Sequence, residues 1–178
     1  MNRLIFNWLC LLGCMEASAQ GYIDFKTYVG DGREVNAPVF RPDGSGAGTG
    51  FTAGLFLVRA EGSLEPLFPT TTFKTSSPQW TPYVRDVPIF LPGTWSGDVV
   101  TVRMRAWETA AGSYEAALIR GESNDIQVTL HAGFPMTLIG LQGFTMVLVP
   151  EPGPGVLLVL GGGLWLLAAR RRTESNPY

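Results

Sequence analysis

Asp98-Val-Val-Thr-Val-Arg-Met-Arg-Ala-Trp107 decides the fold class. Val100, Val102, Met104 and Ala106 alternate with Val99, Thr101, Arg103, Arg105 and Trp107. A period of two is that of a strand, and the arginines mark the solvent face. Shorter runs of the same kind lie on both sides: Tyr22–Val29, Gly54–Ala60, Val87–Leu91, Ile126–Leu130, Met136–Leu141 and Phe144–Val149. Breakers separate them at Asp31-Gly32, Arg41-Pro42-Asp43-Gly44-Ser45-Gly46, Glu61-Gly62-Ser63 and Pro92-Gly93. About seven short strands between turn signals predict an all-β, antiparallel, sandwich-like single domain over 20–149. Tyr114–Arg120 is the one stretch that reads as a short helical turn, and no repeat of solenoid or propeller period is present.

The ends of the 178-residue chain have a different character. Asn2-Arg3 precedes the apolar run Leu4 to Met15, and Ala17-Ser18-Ala19 follows. A basic start, a short apolar middle and small residues at −3 and −1 describe a secretory signal peptide over 1–19, cut by signal peptidase after Ala19. The run is roughly 12 residues, short of the roughly 20 that span a bilayer. Leu11-Leu12-Gly13-Cys14 offers a rival reading, lipidation at Cys14, but leucine before the glycine fits it poorly. Cys10 and Cys14 are the only cysteines and both fall in the segment to be removed, so the mature chain is expected to hold no disulfide. A core of roughly 130 residues can stand without one.

At the other end, Val149-Pro150-Glu151-Pro152 leads into Gly153-Pro154-Gly155, the apolar stretch Val156–Ala169 and then Arg170-Arg171-Arg172. Prolines lack the amide donor and disfavour helix in the residue before them, so the box should be extended. Counted over 153–170, with arginines reaching to the headgroups, the stretch is long enough to cross a thin bilayer as a helix. The basic cluster keeps residues 173–178 in the cytoplasm and puts the domain outside.

A Val-Pro-Glu-Pro box, an apolar helix and an arginine cluster resemble the PEP-CTERM sorting signal of Gram-negative environmental bacteria. The resemblance implies recognition of Pro150, Glu151 and Pro152 by an exosortase, a polytopic membrane processing enzyme, and retention by the helix and Arg170–Arg172. Thr173 to Tyr178 extend past the arginines, where such tails usually stop sooner. Thr101-Val-Arg-Met-Arg-Ala-Trp107, Tyr114-Glu-Ala-Ala117 and Leu141-Gln-Gly-Phe144 also resemble a set of PEP-CTERM proteins of uncharacterised function, from near Ala37-Pro38-Val39-Phe40 onward. That likeness implies a shared domain and no activity.

Residues that carry chemistry are sparse. His131 is the only histidine, which leaves no His/Cys metal set and no second imidazole, and no Gly-x-Ser-x-Gly elbow is present. Twelve carboxylates in 20–149 fall mostly in turns, with Glu108 and Glu115 the pair nearest to a catalytic arrangement. Asp31 and Asp43 lack the spacing of a calcium loop. Gly44-Ser-Gly-Ala-Gly-Thr-Gly50 lacks the lysine of a phosphate loop and reads as a flexible hairpin tip. Nine Lys and Arg against the twelve acids, with no basic patch, argue against nucleic acid. Trp80, Tyr83, Trp95, Trp107 and Tyr114 could stack on sugar rings or fill the core. The expectation is therefore an exported, non-enzymatic surface or matrix protein with no cofactor and no catalytic or metal residues. A module that binds exopolysaccharide is the alternative.

Overall fold

The alternation around Met104 is realised as a ten-residue strand, Val99–Glu108, at the centre of the largest sheet. The computed structural model describes residues 21–30, 35–91, 93–131 and 133–150. In chain order the strands are β1 Gly21–Phe25, β2 Tyr28–Val29, β3 Val35–Asn36, β4 Val39–Phe40, β5 Phe51–Val58, β6 Leu64–Pro66 and β7 Thr71–Thr72. They continue with β8 Val87–Leu91, β9 Val99–Glu108, β10 Ile119–Thr129, β11 Pro135–Met136, β12 Phe144–Thr145 and β13 Val147–Leu148. Two single 3-10 turns, Pro78–Trp80 and Thr109–Ala111, are the helical elements among the described residues. The chain is all-β.

One sheet runs β13-β10-β9-β5-β6, with β7 also paired to β5; a second runs β11-β1-β8. Ile23, Phe25, Ile89 and Leu91 from the second sheet share one core cluster with Leu55, Val102, Met104 and Val128 from the first. Burial of aliphatic and aromatic side chains of this size stabilises by about 1.5–3 kcal/mol each before entropy is counted. Pairing is mainly antiparallel, with two short exceptions: β1 with β11 and β4 with β12 run parallel. Both parallel partners are two-residue segments brought in by long connections, which local alternation does not reveal.

Other departures have local causes. Tyr22–Val29 is two strands, because Lys26 N donates to Asp24 O (2.8 Å) and the chain turns there. Thr27 is buried at that break and its hydroxyl accepts from Val84 N at 3.1 Å. Of Met136–Leu141 only Met136 is in a strand; Leu138 and Leu141 reach the core from a turn closed by Leu141 N to Leu138 O (3.1 Å). Tyr114–Arg120 holds a single hydrogen-bonded turn, Ala117 N to Tyr114 O (3.4 Å), and then enters β10.

The glycine-rich loop after β4 is pinned, not a loose tip. Arg41 Nε and Nη2 donate to Ala47 O (3.0 and 2.7 Å), and Ala47 N donates back to Val39 O (3.1 Å). A Cβ on Gly46 would sit 2.3 Å from Thr81 Oγ1 and 2.8 Å from Pro82 N, so glycine here serves close packing and not mobility.

Gly21 and Val149 lie at opposite ends of β10. Gly21 packs on Leu130, just past the end of β10. Val149 N donates to Leu118 O (2.7 Å), just before β10 begins. Eleven residues of strand separate the two points, roughly 30 Å at strand rise.

Candidate functional site

The outer face of β9 and β10 carries a network of four ion pairs. Strand register sets Arg105 opposite Glu122 and Arg103 opposite Asp125, with a bulge between the two acids. The bulge is stabilised by Ser123, whose hydroxyl accepts from Met104 N at 3.0 Å. Without the extra residue the acid would fall on the core face. Arg103 Nε and Nη2 donate to the two Asp125 oxygens (2.6 and 2.9 Å), and its Nη1 donates to Glu122 Oε1 (2.9 Å). Arg105 Nε donates to Glu122 Oε2 (3.0 Å) and Nη1 to Glu115 Oε1 (3.4 Å).

These pairs give the fold an acid limit. The Arg103 hydrogen bond holds the Asp125 carboxyl below its ordinary value, opposed by desolvation and helped by the Arg103 charge. A folded-state pKa below the unfolded one contributes stability that is present above the unfolded value, about 3.9, and lost as pH falls through the folded one. Asp125→Asn is therefore expected to flatten the loss of thermal stability between about pH 5 and pH 2. Thermal melts of both proteins across that range are the check; unchanged slopes would show that the pair is neutral to folding.

Next to the ion pairs lies an aromatic groove of about 480 Å³. Trp107 points to the arginine face yet is only 6% exposed. It lies across Gly54, whose absent side chain makes the room: a Cβ there would be 3.3 Å from Trp107 Cη2 and from Thr70 Cγ2. Phe56 and Tyr114 meet the indole edge-on, each with centroids 6.4 Å away. The Arg105 guanidinium sits 4.1 Å from the Tyr114 ring centre and 5.2 Å from that of Phe56. Arg120 holds the 109–118 loop from below, its Nη1 donating to Tyr114 O (2.9 Å) and Glu115 O (2.7 Å). Burial pushes the Tyr114 phenol up, and the Glu122 charge adds to it. Thr52 and Thr109 hydroxyls, 2.8 Å apart, supply polar atoms to the groove, and Phe68, 68% exposed, lines it too. The face expected to be wet is thus half covered.

Of the residues singled out in the sequence, Pro150 is exposed, immediately after Val149. Glu151, Pro152, Arg170, Arg171, Arg172, Ala17, Ala19, Cys14 and the 153–170 span lie outside the described residues. Among the described residues no helix is long and apolar enough to cross a membrane. Glu108 closes β9 opposite Phe51, whereas Glu115 bonds Arg105. His131 is exposed and bridged to Phe134; the adjoining hollow is lined by Phe134, Pro135, Met136, Thr137 and Ile139, none of them a carboxylate or a serine. Asp43 accepts from Ser45 N (2.9 Å) and Oγ (2.6 Å), a turn contact that also lowers its pKa. Asp31 lies outside the described residues. No group of three metal-ligating side chains occurs among the described residues.

The aromatics do not form a flat platform. Trp80 and Tyr83 cluster with Tyr28 at interplanar angles of 58–75°. Trp95 is 54% exposed and belongs to neither aromatic cluster. Phe56, Gly54 and Phe68 escaped the sequence reading; the usable signal was Gly54, a lone glycine inside a strand, which marks a close approach. Compared with known protein families, curated proteins and solved structures, the chain matches none.

Proposed function

We propose that the chain is an exported surface or extracellular-matrix protein without catalytic activity, delivered through its C-terminal tail. Its β-domain is best described as a sandwich-like body, with the two main sheets packed through one core. The observation that carries the proposal is the exposure of Pro150 just after β13. Val149 N is held to Leu118 O, and the next residue, Pro150, the first of the box, is exposed. An exosortase would recognise Pro150-Glu151-Pro152 beginning at the exposed Pro150, with the apolar 153–170 segment as the membrane span and Arg170–Arg172 as its cytoplasmic stop. At the other end, β1 begins two residues after the Ala17-x-Ala19 site, so cleavage there would leave β1 whole. The non-catalytic part of the reading is supported by the carboxylates: Glu115, Glu122 and Asp125 are each bonded to an arginine, and Asp24 and Asp86 to lysines.

A saccharide-binding module on the cell surface is the second reading, and the groove lined by Phe56, Tyr114 and Phe68 favours it. It ranks second because Trp107, the largest ring there, is buried.

In the native host, replacing Pro150, Glu151 and Pro152 together with alanine is expected to leave full-mass precursor in the membrane fraction. Mass analysis of the mature termini after cell fractionation is the measurement. Normal processing and release of the triple variant would overturn sorting through this box.

A further inference from the structure

The edge from which the tail departs is unusually apolar for a surface. Leu118 is 40% exposed, Val147 58% and Leu148 63%. They are neighbours: Ile119 pairs with Leu148, Arg120 with Val147, and Val149 is bonded to Leu118. Pro150 extends the exposed edge by one residue.

We propose that this edge docks on the outer leaflet of the membrane while the tail is uncut. The inference rests on the tail reading above. From Pro150 the apolar stretch begins within three to six residues, a reach of about 10–20 Å even when fully extended. Headgroups occupy about 5–7 Å on each side of the hydrocarbon, so the edge lies at or just above them. Tethering makes the contact intramolecular, with an effective concentration on the order of millimolar, and three partly exposed side chains are then enough to bias the orientation. No lysine lies on this edge, and the nearby arginines, Arg105 and Arg120, are engaged with Glu115, Glu122 and the 114–115 carbonyls. The contact is therefore apolar and indifferent to lipid charge.

A second copy of the chain fits the edge less well. Strand addition needs a run of free backbone groups, whereas β13 is two residues long and is closed by a proline without an N–H. Docking places Gly21 and the 59–63 turn at the end away from the bilayer, roughly 30 Å up.

The test uses the full chain with Cys10→Ser and Cys14→Ser, reconstituted in phosphatidylcholine vesicles. One environment-sensitive fluorophore is attached through Leu148→Cys and, in a second protein, through Glu61→Cys in the distal turn. Nitroxide on the lipid headgroups is expected to quench the 148 probe at least threefold more than the 61 probe. Because the tether alone keeps residue 148 nearer the headgroups than residue 61, Leu118→Ser with Val147→Ser is the deciding comparison. It should lower the quenching of the 148 probe at least twofold, and no change would overturn the docking. Equal quenching of the two probes in protein that floats with the vesicles would overturn the docking and leave the tail reading intact. Failure to float would overturn the membrane tail, and the docking with it. Shielding of the 148 probe that disappears when protein is diluted among vesicles would assign the edge to a second copy and overturn the bilayer as its partner.

Discussion

Gly143→Ala is expected to lower the unfolding free energy by about 3 kcal/mol, enough to unfold a marginal domain at growth temperature. A Cβ at this position would lie 2.5 Å from Pro38 O, 2.7 Å from Pro38 Cδ and 2.9 Å from Pro38 N. Two of those three atoms belong to backbone and cannot rotate away. The neighbouring residue shows why the approach matters: Phe144 N donates to Pro38 O (3.0 Å) and Phe144 pairs with Val39, starting the parallel contact of β4 with β12. Met146, fully buried, follows two residues later and donates its N–H to Phe40 O (2.8 Å). Gly44→Ala is the control. Gly44 has φ +82° and nothing within 4 Å, so alanine there meets only backbone strain, about 1–2 kcal/mol. Urea unfolding of the three proteins tests the order; equal losses would mean that the β4–β12 contact relaxes freely.

How much of this was legible in the sequence depends on the length of the element. Val99–Glu108 and Val87–Leu91 alternate over five residues or more, and both form strands within one residue of the reading. The first half of β10 was missed because Glu122-Ser123-Asn124-Asp125 carries the bulge, which breaks the period of two. Two-residue strands such as β4, β12 and β13 have no period to read, and their partners are remote in sequence. Ala37-Pro38-Val39-Phe40 and Leu141-Gln-Gly-Phe144 nevertheless stood out in the chain, and they meet as the parallel β4–β12 pair. Thr101–Trp107 and Tyr114–Ala117 meet likewise, through the edge-on contact of Trp107 with Tyr114.

The candidate sites divide along the same line. The tail is readable because its chemistry is sequential: box, apolar run and basic stop follow one another. The groove is not, because it is assembled from β5, β9, the 64–70 segment and the 109–118 loop. Arginines at 103 and 105 implied solvent, yet Arg105 is only 16% exposed, laid over Phe56 and Tyr114 with its charge met by Glu122 and Glu115. Alternation says which face a residue is on. It does not say whether that face is covered.

That covering has an energetic consequence, because the arginine face then behaves as a second, smaller core. Trp107→Ala is expected to destabilise the domain by about 4 kcal/mol, the cost of emptying a site that holds a buried indole. Gly54 cannot move in to fill the space, and the rings of Phe56 and Tyr114 lose the edges they pack against. Tyr114→Ala should cost less, about 2 kcal/mol, since the ring is only half-buried and the loop keeps its Arg120 bonds to backbone carbonyls. The double variant should fall short of the sum by about 1 kcal/mol, the share belonging to the aromatic pair itself. A strictly additive cycle would leave the two rings as independent contacts. A Trp107→Ala cost under about 0.5 kcal/mol, inside the range of ordinary surface changes, would mean that the face is solvated after all and that alternation alone had described it correctly.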